Sequence, residues 1–115
     1  MELDYSEAHL QSECVKWHNK NYPDERKRLF MVYNNPKNKA HAAVLLGMGL
    51  KAGVSDLIYL LDGTVVFIEM KLPKKRQSPD QKEFEAMVIS LGFQYYIIDN
   101  QPDFENLIRS LHFAH

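Results

Sequence analysis

The sequence predicts an α/β domain with a mixed sheet of about four strands flanked by helices, in the order αβββαβα. Three observations carry that prediction. Two apolar, β-rich runs are joined by Asp62-Gly63, a strong signal for a two-residue hairpin. A helix signal at Ser78-Pro79 is followed by the strand-like run Phe93–Ile98. Such a strand–helix–strand unit favours a parallel crossover, which makes the sheet mixed. The hairpin is apolar on both faces, so both faces are expected to be covered.

Taken in order, Asp4 to about Asn19 reads as a helix, with Asp4 and Glu7 at capping-box spacing. Leu10, Cys14 and Trp17 recur at helical spacing and mark its buried stripe. Glu7 falls on that stripe, and an acid there needs a partner or serves only as a cap. Asn21-Tyr22-Pro23-Asp24 ends the helix, and Arg28–Tyr33 is a plausible strand. Asn34–Lys39 is a turn or loop. Ala40–Leu50 is a short helix or an ordered loop, alanine-rich but interrupted by Gly47 and Gly49. Gly53 lets the chain swing into the hairpin.

Beyond the hairpin, Pro73–Gln77 is a basic loop. Ser78 as N-cap, Pro79 at the first helical position and Gln81 at the third open the next helix. Its buried stripe is Phe84, Met87, Val88 and Leu91, with Gly92 as its stop. After the last strand, Asp99–Pro102 turns into a final helix with Phe104, Leu107, Ile108 and Leu111 inward.

Length and composition bound the function. The chain's 115 residues, 45% hydrophobic and 25% charged, suit one domain (1–115) with a modest core. A net charge of −1 provides no global field for polyanions, so nucleic-acid contacts must come from local clusters of the 14 Lys and Arg. A single cysteine, Cys14, excludes an intrachain disulfide and argues against a cysteine-based zinc site. The sequence contains no apolar run long enough to span a membrane, and no signal-peptide pattern opens it. A cytoplasmic, intracellular setting is expected.

The hairpin register places the chemistry. With Asp62-Gly63 as the loop, Leu61 faces Thr64, Ile58 faces Phe67, Leu57 faces Ile68 and Asp56 faces Glu69. Lys71, two residues past Glu69, lies on the same face. Two facing carboxylates repel, and a cation between them relieves the repulsion. Mg²⁺ suits such a site because it binds through one or two carboxylates and keeps several waters. Lys71 would orient or deprotonate a water and stabilise developing charge. The competing reading is a cross-strand salt bridge with Lys71 between two acids. At the covered end of an apolar hairpin, unpaired charge is expensive, and that favours a bound metal.

Gly53-Val54-Ser55-Asp56, then Ile68-Glu69-Met70-Lys71, then Ser78-Pro79-x-Gln81 together resemble the VRR-NUC domain, a branch of the PD-(D/E)xK nuclease superfamily. The resemblance runs from the first helix to Tyr95-Tyr96. It implies a restriction-endonuclease-like core and divalent-metal-dependent hydrolysis of DNA, with Mg²⁺ as cofactor and Mn²⁺ as substitute. By the resemblance, Asp56 and Glu69 would be metal ligands, helped by the Met70 carbonyl, and Lys71 the catalytic lysine. The family's first-helix glutamate matches Glu7 best, with Glu13 as second choice. For Gln81 the resemblance implies an active-site role. The capping box implies instead a bond to its own helix N-terminus, and one side chain was not expected to do both.

Lys74, Lys75 and Arg76 follow the catalytic strand directly. With Lys37, Lys39, Lys51 and Ser78 they are candidate DNA contacts, of a kind that holds phosphates without reading sequence. Singly, each reads as a solvated charge. His9, His18, His41, His112 and His115 lack metal-ligand spacing and read as surface or packing residues. Cys14 reads as core.

The function expected is a metal-dependent DNA endonuclease selective for structure, such as a four-way (Holliday) junction, flap or nick. A homodimer would cut paired strands. A phage or mobile-element source fits so compact a nuclease. The alternatives are a non-catalytic DNA-binding or assembly module on the same fold, or a hydrolase of another phosphate ester.

Overall fold

The computed structural model describes residues 6–33 and 35–114; Asp4, Asn34 and His115 lie outside them. The first helix, α1, spans Glu7–Asn21, and Ser6 caps it by accepting the His9 N–H at 3.1 Å. A 3-10 segment, Pro23–Arg28, leads into β1 (Leu29–Met31). Helix α2 (Lys39–Gly47) is capped by Asn38, whose Oδ1 accepts the His41 N–H at 2.8 Å. The hairpin is β2 (Leu57–Leu61) and β3 (Thr64–Met70); α3 (Pro79–Ser90), β4 (Gln94–Ile98) and α4 (Gln101–Ala114) follow. The region after β1 is therefore a helix, which inserts α2 into the order read from the sequence.

The four strands form one sheet in the order β1-β2-β3-β4, with β3 and β4 parallel and the other pairs antiparallel. The hairpin register is as the sequence predicts: Leu57 opposite Ile68, Ile58 opposite Phe67 and Leu61 opposite Thr64. Gly63 takes φ +77, a left-handed conformation that glycine adopts without steric cost.

Alternation along the strands splits the sheet into two faces. Leu57, Tyr59, Val66, Ile68, Met70 and Ile98 point to one face and are buried. Leu10 and Cys14 of α1 and Phe104, Ile108 and Leu111 of α4 cover that face and complete the core. Trp17 is only partly buried, packed edge-on against Phe104 and under the Arg109 guanidinium. His18, not a member of the predicted stripe, is fully buried.

On the other face α3 packs through Phe84, edge-on to Phe67 and Tyr95. Of its predicted stripe, Val88 is buried but Met87 and Leu91 remain 45% and 64% exposed. Phe30 and Leu60, at the β1–β2 end of this face, are also exposed, and α2 buries no residue. The sheet is thus covered fully on one side and only in part on the other. An apolar stripe read from spacing alone marks what a helix offers, and here only Phe84 and Val88 of that stripe are used.

Candidate active site

The site lies at the open end of the hairpin. Asp56 sits one residue before β2, and its carbonyl accepts the Val32 N–H at 2.9 Å. Its carboxylate turns across the hairpin, and Oδ2 accepts the Met70 N–H at 2.7 Å. Glu69 is the penultimate residue of β3, just 2% exposed. Its Oε2 accepts from Gln81 Nε2 at 3.0 Å, while Oε1 is buried with no hydrogen-bond partner among the described residues.

Two acids placed this way resist ionisation together. Burial, chiefly, and the neighbouring Asp56 charge push Glu69 up to about 8. Asp56 is raised as well, by burial, although the Met70 N–H works the other way. Near neutral pH, without a cation, the pair therefore shares a proton. Lys71 follows on directly and draws both carboxyls down. Among the described residues it forms no ion pair within 4.0 Å with either acid. The salt-bridge reading of the sequence therefore lacks its bond.

The donor set fits a hard cation. A buried carboxylate oxygen that no described donor reaches, beside a second carboxylate, is what an ion that keeps its waters would use. Among the described residues no three His, Cys, Asp or Glu side chains converge on one point, so the side chains would supply two carboxylates. Glu7 comes from the first turn of α1. Its Oε2 accepts the Leu72 N–H at 3.3 Å, which holds it beside the pair rather than between them. Glu13, its competitor, instead faces Lys16 at 3.5 Å on the surface.

Gln81 makes the cap and a contact to Glu69 at once, two bonds that the sequence reading set against each other. Its Oε1 accepts the Ser78 N–H at 2.8 Å, and its own N–H donates to Ser78 Oγ at 3.2 Å, a complete capping box. The amide's other end is free to donate to Glu69. The expectation of one role or the other overlooked that a primary amide has two ends with opposite polarity.

Gly53 brings the Asp56 loop against α3. It holds φ +86, and a Cβ there would lie 2.3 Å from the Asp80 carbonyl oxygen. Two clefts open from the site. One, of about 400 Å³, is lined by Asp56, Ser78, Asp80 and Gln81 with Pro36 and Leu46. The other, of about 430 Å³, is lined by Glu7, Gln11, Asn35 and Asp56.

Residues 2–101 match the family model of the VRR-NUC domain. The chain belongs to the VRR-NUC family. A solved structure described as a VRR_NUC domain protein shares the fold, with a TM-score of 0.77 and 20% identity over 95% of this chain and 89% of that one. No curated protein matches. VRR-NUC domains are nuclease-like, DNA-processing modules, and the mixed four-stranded sheet flanked by helices is the fold of the matched structure.

The candidate DNA contacts are scattered by comparison. Lys74, Lys75 and Arg76 are exposed on the segment leaving β3, and Lys51 lines a third cleft with Asp80 and Glu83. Lys39 stands at the start of α2 and lines neither of the two clefts at the site. Ser78 is occupied as a cap. Sequence reading missed Ser55, buried with its hydroxyl donating to the Leu57 carbonyl at 3.2 Å, and Gln77, which donates to Tyr95 Oη at 3.3 Å. Among the described residues no helix is long and apolar enough to cross a membrane.

Proposed function

We propose that this VRR-NUC chain is a divalent-metal-dependent endonuclease that hydrolyses DNA phosphodiester bonds. The observation that carries the reading is the Asp56–Glu69 pair. Two carboxylates held above their ordinary range, chiefly by burial, at a strand end, one with a buried oxygen that no described N–H or O–H reaches, form a poor structural element and a good cation site.

Asp56 and Glu69 would hold Mg²⁺ or Mn²⁺, with the Met70 carbonyl as a further oxygen ligand. When bound, such an ion lowers the pKa of water and neutralises charge on a phosphodiester. Asp56 is aimed by the Met70 N–H and Glu69 by Gln81, so neither carboxylate must reorganise. Lys71, with no ion pair within 4.0 Å to either acid, is available to orient the attacking water and to stabilise negative charge building on the phosphate. Glu7, fastened to the Leu72 amide, adds negative potential that favours a cation over the bare pair. The basic residues Lys74–Arg76 and Lys51 hold the DNA backbone.

So small a domain offers little surface for reading sequence, and we assign it branched, flapped or nicked DNA as substrate. Two copies in a homodimer would address paired strands.

The test is a substrate panel of junction, flap, nicked and plain duplex DNA with purified protein and Mg²⁺ or Mn²⁺. Cleavage that needs metal, favours a branched substrate and disappears in Glu69→Ala and Lys71→Ala is the expected result. Cleavage unchanged in both variants overturns the site. DNA binding without cleavage under any divalent metal replaces the enzyme with a non-catalytic DNA-binding module.

A further inference from the structure

The nuclease reading leaves open how the cation-bearing segment after Lys71 is held. Residues 72–77 leave β3 beside the two carboxylates and carry Lys74, Lys75 and Arg76, all exposed. The segment is fastened at three places. The Leu72 N–H donates to Glu7 Oε2 at 3.3 Å. The Lys75 N–H donates to the Leu72 carbonyl at 3.1 Å, closing a turn over Pro73 and Lys74. At the far end Gln77 Nε2 donates to Tyr95 Oη at 3.3 Å.

Each fastening has a feature that a solvated loop would not need. Lys74 holds φ +71, a left-handed conformation that side chains other than glycine and asparagine seldom adopt, and it is the sole described non-glycine residue to do so. Tyr95 comes from β4, the strand parallel to β3, and is 9% exposed. Its ring meets the edge of Phe84, so packing fixes where the hydroxyl points. Burial, with the Glu69 charge adding to it, raises the phenol, so it remains an O–H at working pH. Gln77 immediately precedes Ser78, whose N–H is bound by the same Gln81 that holds Glu69.

We propose that Tyr95 is a positioning residue for substrate binding: through Gln77 it fixes residues 72–77 so that Lys74, Lys75 and Arg76 meet the DNA backbone beside Asp56 and Glu69. This rests on the nuclease reading. A lysine-bearing loop free to move would have to be ordered each time DNA bound, and that ordering weakens affinity. The latch removes the cost beforehand. Its loss should therefore appear in binding and leave the chemical step alone.

The experiment uses the full chain with Tyr95→Phe, Gln77→Ala and the double variant. Steady-state cleavage provides KM and kcat, and limited trypsin digestion followed by mass spectrometry reads the bonds after Lys74, Lys75 and Arg76. Each single variant should raise KM roughly 3- to 10-fold with kcat within about two-fold, and the double variant should be no worse than either. Tryptic cutting at those three bonds should accelerate in all of them. If Tyr95→Phe disturbs the fold, seen as a fall in Tm, the half-buried Gln77→Ala carries the test. Unchanged KM and unchanged proteolysis overturn the latch. A fall in kcat with KM constant overturns positioning in favour of a role in the chemistry. If the wild type cleaves no DNA at all, the nuclease reading fails; faster proteolysis of the variants then keeps the anchor but overturns its part in presenting cations to DNA.

Discussion

Gln81 joins the start of α3 to the Glu69 carboxylate: one end of its amide accepts the Ser78 N–H at 2.8 Å and the other donates to Glu69 Oε2 at 3.0 Å. The helix terminus and the acid are thereby held in one geometry. Gln81→Ala should cost about 1 kcal/mol of stability through the lost cap and lower kcat roughly 10- to 100-fold through the unaimed acid. Gln81→Glu retains an acceptor for Ser78 and loses the donor for Glu69, so it should lose activity too. Thermal melts and single-turnover cleavage check both. Full activity in Gln81→Ala would show that Glu69 needs no such support.

The carboxylate pair makes the metal-free protein weaker as pH rises. Glu69 sits near its ordinary value when unfolded and at about 8 when folded. Between those values the folded chain binds the extra proton, so stability is fully present below about 4.5 and is lost as pH rises towards 8. In EDTA, Tm should therefore fall across that window. Glu69→Gln, which removes the buried charge and still offers an oxygen to Gln81, should flatten the slope and raise Tm at pH 8 by several degrees, roughly 1–2 kcal/mol. A melting series against pH reads this. An equally steep slope in the variant would mean that another group titrates.

Gly53 is required twice over, by its φ of +86 and by the Asp80 carbonyl lying 2.3 Å from where a Cβ would stand. The obstructing atoms are backbone, so they cannot rotate away. Gly53→Ala should cost at least about 2 kcal/mol and push the Asp56 loop off α3. Denaturant unfolding measures the first effect and Mn²⁺ affinity the second.

A second polar cluster lies towards the turn end of the hairpin, away from the site. The buried Tyr59 hydroxyl donates to Glu25 Oε1 at 3.1 Å and sits 3.1 Å from His18 Nε2; His112 Nε2 meets the same Glu25 oxygen at 2.7 Å. Tyr22 stacks on both His18 and His112. The cluster ties α1, the 3-10 segment and α4 to β2. Tyr59→Phe should destabilise by roughly 1–3 kcal/mol because it leaves polar groups without partners. Metal affinity and cleavage by the folded variant should stay at wild-type values, which separates fold maintenance from chemistry.

What could be read from the sequence follows from how local each feature is. The Asp62-Gly63 turn and the period-2 pattern determined the β2–β3 register, and with it the meeting of Asp56 and Glu69, because a hairpin involves only neighbours in the chain. The crossover through α3 was legible for the same reason. The Tyr59–His18–Glu25–His112 cluster was not, since its members come from four elements and only the packed fold brings them together. Nor was exposure: Met87 and Leu91 have the spacing of core residues, but whether a stripe is buried depends on what the packed fold sets against it. The start of α1 moved to Ser6 because a serine three residues before His9 makes the observed cap. The buried Glu69 oxygen that most favours a cation is a property of packing alone.

The most direct measurement is a Mn²⁺ titration of wild type and Asp56→Asn at pH 7.5, followed by electron paramagnetic resonance of the free ion. The wild type should bind Mn²⁺ saturably with release of protons, and Asp56→Asn should bind at least about 10-fold more weakly. Equal affinity in the two proteins, or no binding by the wild type, would contradict a metal held between Asp56 and Glu69.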